Sequence, residues 1–406
     1  MLINQIFEID SCDDVELNIK RTSKLEYRIS YDDEKEMKAI VFIIGGYGAN
    51  ANMSIMDFDR QYIAQKFDVI AINVIYWCFS VRMGADKDYS AQLYISDKDL
   101  IYLKQTLEQH SLETFGLNEK TAAEFLQKLD SKIDQLKATE EQRSDYRAIV
   151  TGMLVPPHGE YQNYGIMAAI DHINVLKDLV KKFPNFKNLP KIYGGGSYGG
   201  GGYLSLLIAK IAPWYVDAVI DNSGEALLLL RYIIGRDLNQ CEFAFAEENI
   251  QVNCFLKTFW NANPNSAYCF KSENYAIRAL LNSIHLQAQV QKNKDIVYIS
   301  YHSKTDLMSP VEDKIKLIQA YKVLGYDVEF NLIDDESIDG KFIKKNDHGG
   351  GIAIKALFKK ELPRLLERFQ GKKFKIKQDY ICYHCGDKNF IFKDKENYFE
   401  LEIVNN

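Results

Sequence analysis

The stretch Ile192-Tyr-Gly-Gly-Gly-Ser197-Tyr-Gly-Gly-Gly-Gly202 limits what this chain can fold into more than any other. The residues around Ile192 read as a strand and residues 198–211 as a helix, which places the glycines at a tight strand-to-helix turn. Positions without a Cβ let neighbouring backbone pass close by. Within the run, Gly195-x-Ser197-x-Gly199 would hold a serine hydroxyl above the sheet and aim the Tyr198 N–H, at the start of the helix, at an oxyanion formed there. The same letters contain Gly194-x-Gly196-x-x-Gly199, a dinucleotide fingerprint, with Asp217 or Asp221 following at about the distance expected of a ribose contact. No Gly-Lys-Ser/Thr follows, which excludes a phosphate-binding P-loop. Taken alone, the glycines leave open a serine nucleophile, a dinucleotide site and a structural turn.

The rest of the chain supplies the frame. Period-two alternation at 5–9, 15–19 and 25–29 predicts short antiparallel strands, and the apolar runs 39–44 and 69–75 suit strands buried on both faces, joined by a helix over 54–66. Helix and strand then alternate: 165–182, 191–193, 198–211, 216–220, and later 295–301, 311–324, 328–333 and 351–369. This is the pattern of an α/β fold with a mainly parallel sheet flanked by helices. Two segments break it. The first, 78–164, carries an amphipathic helix with Phe125, Leu129, Ile133 and Leu136 on one face; the second, 225–294, is rich in aromatic residues. Both read as helical insertions, and the second reads as a lid over the site. The expected organisation is 1–77 as N-terminal strands and start of the core, 78–164 as insertion, 165–224 as core, 225–294 as cap, 295–370 as core and 371–406 as a C-terminal β-hairpin.

Composition matters mainly for what it removes. A net charge of −6 lacks the basic footprint of a nucleic-acid binder. The first ten residues interrupt their apolar positions with polar ones, unlike a signal peptide, and no apolar run reaches membrane-spanning length. Seven scattered cysteines fit a reducing compartment better than a disulfide scaffold, so the cytoplasm is the expected location. Neither nucleic acid nor membrane is an expected partner, and the oligomeric state is left open.

A serine nucleophile needs a base and a group that orients the base. The strand ending near Tyr301 runs into His302-Ser-Lys-Thr-Asp306, and the strand over 328–333 is followed by Asn346-Asp-His348-Gly-Gly350. Asp306 and His348 therefore both follow carboxyl ends of predicted strands, the edge on which Ser197 is expected. Asp306 would fix the imidazole tautomer while His348 takes the serine proton. Asp221 and Glu225 remain alternative carboxylates. The loop Gly45-Gly46-Tyr47-Gly48 follows an earlier strand, and the Tyr47 N–H is the candidate second oxyanion donor beside that of Tyr198.

Gly196-Ser197-Tyr198-Gly199-Gly200, Asp306 with Ser309-Pro310, and Asp347-His348-Gly349 together resemble the α/β-hydrolase superfamily, in particular its prolyl-oligopeptidase-like and esterase branch. The resemblance covers about residues 36–77, 165–224 and 295–370. It implies a Ser197-His348-Asp306 triad, oxyanion donors at Tyr47 and Tyr198, no cofactor and no metal, and a serine hydrolase acting on an acyl ester of a small molecule. Gly45-Gly46 stands where many relatives have His-Gly, and no long N-terminal region offers a β-propeller, so peptidase specificity is not implied. The chain is also similar to a bacterial branch that would point to acylated sugars. An acyltransferase using the same triad, a dinucleotide-binding oxidoreductase and a silent glycan-binding relative remain alternatives.

Other residues carry weaker signals. His302, His158, Trp77, Phe79 and Arg82 sit near strand ends or turns and could line a site or simply pack. Cys382-Tyr-His384-Cys385 resembles half a zinc site, but no second ligand pair stands at suitable spacing, and alternation over 380–392 favours a hairpin turning at Gly386-Asp387.

Overall fold

The computed structural model describes residues 1–47, 53–196, 200–374 and 378–406. The chain divides into two compact units, one of residues 1–79, 163–228 and 270–406, the other of 80–162 and 229–269. Strands and helices are numbered here along the whole chain.

The first unit is built on an eight-stranded sheet of β1 (Leu2–Ile9), β2 (Leu25–Asp32), β3 (Ile40–Ile44), β4 (Ile70–Ile75), β7 (Lys191–Gly196), β8 (Ala218–Asn222), β11 (Val297–Ser303) and β12 (Asp327–Ile333). Their spatial order is β1-β2-β4-β3-β7-β8-β11-β12, with β2 antiparallel to both neighbours and every later pair parallel. This is the mainly parallel sheet flanked by helices that the alternation of strands and helices predicts. Its middle strands are apolar throughout because both faces are covered: β3 and β7 are buried along their full length. On one face α1 (Met53–Phe67) and α10 (Ile354–Phe369) send Ile63, Leu357, Phe358 and Leu362 against Val41, Ile192 and Ile220. The other face receives α4 (Ile166–Lys182), α5 (Gly202–Ile211) and α9 (Val311–Val323). There Phe42 stacks on Tyr193 and Tyr298 on Tyr321. All ten residues of α5 are buried, which explains a helix sequence with no polar stripe.

The alternation over 15–19, expected to form a strand, instead makes a tight turn. Asp14 and Ile19 exchange backbone hydrogen bonds at 2.9 and 3.0 Å, and the Asp14 carboxylate takes the Glu16 and Leu17 N–H groups, so a side chain supplies what a partner strand would have supplied. The turn presents Glu16 to Arg278 in a fully buried ion pair. Arg278 ends α7 (Ser272–Arg278), which with α8 (Ser283–Lys292) belongs to this unit.

The C-terminal addition is a three-stranded antiparallel sheet, β13 (Tyr380–Cys385), β14 (Lys388–Asp394) and β15 (Phe399–Asn405). The hairpin turns at Gly386 and Asp387, as the alternation suggests, and a third strand is added to it. Residues three apart on a strand face opposite ways, so Cys385 is buried while Cys382 and His384 point to the other side, and the zinc half-site does not form.

The second unit joins both insertions, and they are only partly helical. α2 (Asp97–Gln109) and α3 (Ala122–Ala138) pack Leu103, Leu107, Phe125, Leu129 and Ile133 onto Val150 and Ile250. These last two lie in a four-stranded sheet of β5 (Gln92–Tyr94), β6 (Ala148–Val155), β10 (Ile250–Leu256) and β9 (Phe243–Ala246), in that order, with the short α6 (Arg231–Ile234) before β9. β6 from the first insertion and β10 from the second run parallel, Ala148 opposite Ile250. Of the segment 225–294 expected as a lid, residues 225–228 and 270–294 lie in the first unit and 229–269 in the second. No helix among the described residues is long and apolar enough to cross a membrane.

Candidate active site

Six parallel strands of the first unit, β4, β3, β7, β8, β11 and β12, share one direction, and the edge at their carboxyl ends carries Asp306 and His348. β7 ends at Gly196 and α5 begins at Gly202; Ser197, Tyr198 and Gly199 lie outside the described residues. The glycines on either side show why the run is needed. A Cβ on Gly195 would stand 1.9 Å from the Ile44 carbonyl oxygen, and one on Gly200 would stand 2.1 Å from the Tyr47 amide nitrogen. No side chain fits such gaps. The Gly201 N–H donates to the Gly45 carbonyl at 2.7 Å, so the loop after β3 lies directly on the turn after β7. Tyr47 is thereby placed beside Gly200, with its amide at the turn.

Asp306 follows β11 and is buried. Its Oδ1 accepts the N–H groups of Met308 and Ser309, each at 2.9 Å, and its Oδ2 lies 2.8 Å from Nδ1 of His348. Burial opposes ionisation of this carboxyl, but the hydrogen bond and charge of His348 and the Ser309 N–H outweigh it and hold Asp306 below the usual carboxylate range. A carboxylate so placed accepts from Nδ1–H and leaves Nε2 as the basic nitrogen of a neutral imidazole.

The loop that carries His348 is held on both sides of the ring. Before it, Ser303 Oγ donates to the Asp347 carbonyl at 2.6 Å and Thr305 Oγ1 donates to that of Asn346. After it, both polar groups of Gly349 are taken by residues at the end of β8: its N–H donates to Ser223 Oγ and its carbonyl accepts from Asn222 Nδ2, each at 3.0 Å. Ser223 does this from a left-handed backbone, φ 57°, pinned by its own N–H to the Tyr301 carbonyl at 2.8 Å. Asn222, Ser223, Ser303 and Thr305 were not expected from the sequence. The one available signal is the Asn-Ser-Gly sequence after an apolar strand, which favours a turn but names no partner.

The remaining candidates are accounted for elsewhere. Asp221 is sealed in an ion pair with Lys314 Nζ at 2.6 Å, accepts Ser300 Oγ at 2.7 Å and takes the Gly224 N–H at 2.8 Å. Asp217 precedes β8, at the opposite end of the sheet from Gly196, and accepts the Lys191 N–H. Neither is placed as a ribose-binding carboxylate for the glycine run. Glu225 accepts the Tyr164 hydroxyl at 2.7 Å. His302 lies 3.7 Å from Asp306 but donates its Nε2–H to the Ser309 carbonyl at 2.8 Å, and burial lowers its pKa to about 4, so it stays neutral and supports the acid loop. Trp77 and Phe79 are buried, the Trp77 backbone N–H donating to Asp171 Oδ2 at 2.8 Å, and His158 and Arg82 belong to the second unit.

A family model described as "Protein of unknown function (DUF2920)" matches residues 5–403. No curated protein sequence matches the chain. Among solved structures it is similar to an acylaminoacyl peptidase of Pyrococcus horikoshii, at 16% identity and a TM-score of 0.45, over 93% of this chain and 43% of that one. An esterase of Pyrococcus furiosus aligns at 12% identity and 0.43 over 91% and 93% of the two chains. Fungal esterases of Rhizomucor miehei align at 10% identity and 0.42 over 91% and 82%. The chain thus spans less than half the length of the peptidase.

Proposed function

The chain belongs to the DUF2920 family, and from that premise we propose that it is a serine hydrolase that cleaves an acyl ester of a small molecule through Ser197, His348 and Asp306. The observation that carries this reading is the Asp306–His348 pair, 2.8 Å apart and gripped from both flanks, at the same sheet edge where β7 ends at Gly196. In the proposed reaction Ser197 Oγ attacks the acyl carbonyl carbon as His348 Nε2 removes its proton. The oxyanion is met by the N–H groups of Tyr47 and Tyr198. His348 then returns the proton to the leaving alkoxide as the C–O bond breaks, giving an acyl-enzyme and a free alcohol. Water, deprotonated by the same nitrogen, releases the acid. Asp306 stays ionised throughout and stabilises the imidazolium.

A fluorophosphonate probe tests the assignment directly, because it reacts with activated serines and with few others. The wild-type chain should be labelled, and Ser197→Ala should not. Equal labelling of both, or none of the wild type, would remove Ser197 from the reaction.

A further inference from the structure

The second unit is a small α/β layer in its own right, and the carboxyl ends of its parallel strands β6 and β10 open onto a cavity of about 520 Å3. Open α/β sheets take ligands at that edge, and the volume is in the range of small-molecule sites. Part of the wall is fixed without any ligand. Arg236 donates to the buried Asp99 at 2.8 and 3.3 Å, its guanidinium lies 4.4 Å from the Phe255 ring centre, and Thr151 Oγ1 donates to the same carboxylate at 2.6 Å. That commits the charge of Arg236 and leaves Lys98 as the only other lysine or arginine among the described lining residues.

Against Lys98 stand four carboxyl groups, Asp97, Glu119, Asp237 and Glu242. The N-terminus of α2 adds nothing for an anion, since Ser96 and Asp99 close it as a reciprocal cap and Asp97 sits in its first turn. Glu242 is the telling group. Its Oε2 accepts the Leu256 N–H at 3.1 Å, the arginine on the same wall is engaged by Asp99, and burial pushes its carboxyl up to about 8. A carboxyl desolvated in this way is stabilised as the anion by an incoming positive charge. Tyr94, Phe259 and Trp260 bring aromatic rings to the same lining, and aromatic faces attract cations as well as apolar carbon.

We infer that this cavity binds a small organic cation, an ammonium, quaternary ammonium or guanidinium compound whose charge meets Glu242 and whose carbon frame lies against Tyr94, Phe259 and Trp260. Calorimetric titration of the full chain with choline and with agmatine, against glucose and acetate at equal ionic strength, tests it. Both cations should bind saturably, more tightly as the pH rises through about 8, and with proton release below that pH as Glu242 ionises. Glu242→Gln should weaken them about tenfold or more and remove the proton release. If that variant does not fold, Phe259→Ala, at a part-exposed position, should weaken the cations while keeping the pH dependence. Absence of saturable cation binding, equal binding by wild type and Glu242→Gln, or glucose binding with the same dependence on Glu242 would overturn the inference.

Discussion

At the end of β8 the carboxylate of Asp221 meets the ammonium of Lys314, and at the end of the adjacent strand β11 the carboxylate of Asp306 meets the imidazole of His348. The two sites share an edge, a residue type and near-complete burial. Both carboxylates also accept backbone N–H groups from the turn that follows. They differ in the partner. A lysine whose side chain is wholly buried closes Asp221 with a charge that has no route to a substrate, whereas the histidine beside Asp306 keeps part of its side chain exposed. A carboxylate paired to an ammonium fixes structure; one paired to an imidazole orients a group that can carry a proton in the neutral range. Chemical type and burial do not separate the two, and the identity of the partner does.

The comparison is broken most severely by exchanging oxygen for nitrogen at Asp306, the carboxylate proposed for the triad. In Asp306→Asn the amide oxygen should remain where two N–H groups converge, on Oδ1, which turns the amide NH2 toward Nδ1 of His348. The ring must then carry its proton on Nε2 and cannot accept one from serine. Turnover of a short-chain aryl ester should fall about 10^4-fold, with the thermal midpoint little changed. A loss below about tenfold would show that another carboxylate does the work.

Asp221→Asn should do the reverse. It leaves the Lys314 charge buried without its counter-ion and should cost about 3–5 kcal/mol of stability, while the protein that remains folded should keep any turnover of the aryl ester that the wild type shows. Adding Lys314→Met should restore most of the loss, as read from denaturant midpoints. If Asp221→Asn instead abolished activity at unchanged stability, the division between the two ends would be wrong.

A smaller effect is expected from the anchors. Ser223→Ala removes the acceptor for the Gly349 N–H and should lower kcat roughly fivefold, about 1 kcal/mol, with KM unchanged, because imidazole placement matters in the transition state more than in binding. Equal effects on kcat and KM would point to a general disturbance of the edge.

These anchors mark where reading the sequence stops. Asp306 and His348 are legible because each follows a segment that reads as a strand, buried throughout in β11 and alternating in β12, and the glycine run is legible because few other structures tolerate it. Asn222 and Ser223 are not, since their partner Gly349 lies 127 and 126 residues away and nothing local in either segment names the other. The same limit hides the pairing of β6 with β10: each alternates well enough to be a strand, but period-two patterning does not say with what. Over 15–19 the period itself misleads, because Asp14 satisfies locally the N–H groups that a strand would offer to a neighbour.

The mildest test uses His302, the second histidine at the end of β11. Its pKa when folded, about 4, lies below the ordinary 6.5, so between those values the unfolded chain binds a proton that the folded chain does not. Stability should therefore fall as the pH drops through that window, by about 1 kcal/mol over the first unit below 6.5. His302→Gln should flatten this slope in thermal midpoints measured between pH 7 and 5. An unchanged slope would mean that His302 ionises in the folded protein and competes for Asp306.

The order of segments has a consequence for how the protein is made. The chain enters the second unit after Phe79, returns to the first at Asn163, leaves again after Leu228 and comes back at Phe270. β6 must wait for β10, and between them the ribosome has to deliver β7, the glycine turn and β8; β7 in turn fills the centre of a sheet whose last strands, β11 and β12, are synthesised later still. Neither unit can be completed during translation before most of the chain is out, and both depend on contacts between distant segments, which slows closure and exposes apolar strands such as β3 meanwhile. Cutting the chain at Phe79 or Leu228 should therefore yield no folded half, and a separate second unit would have to be made by joining 80–162 to 229–269 through a new linker.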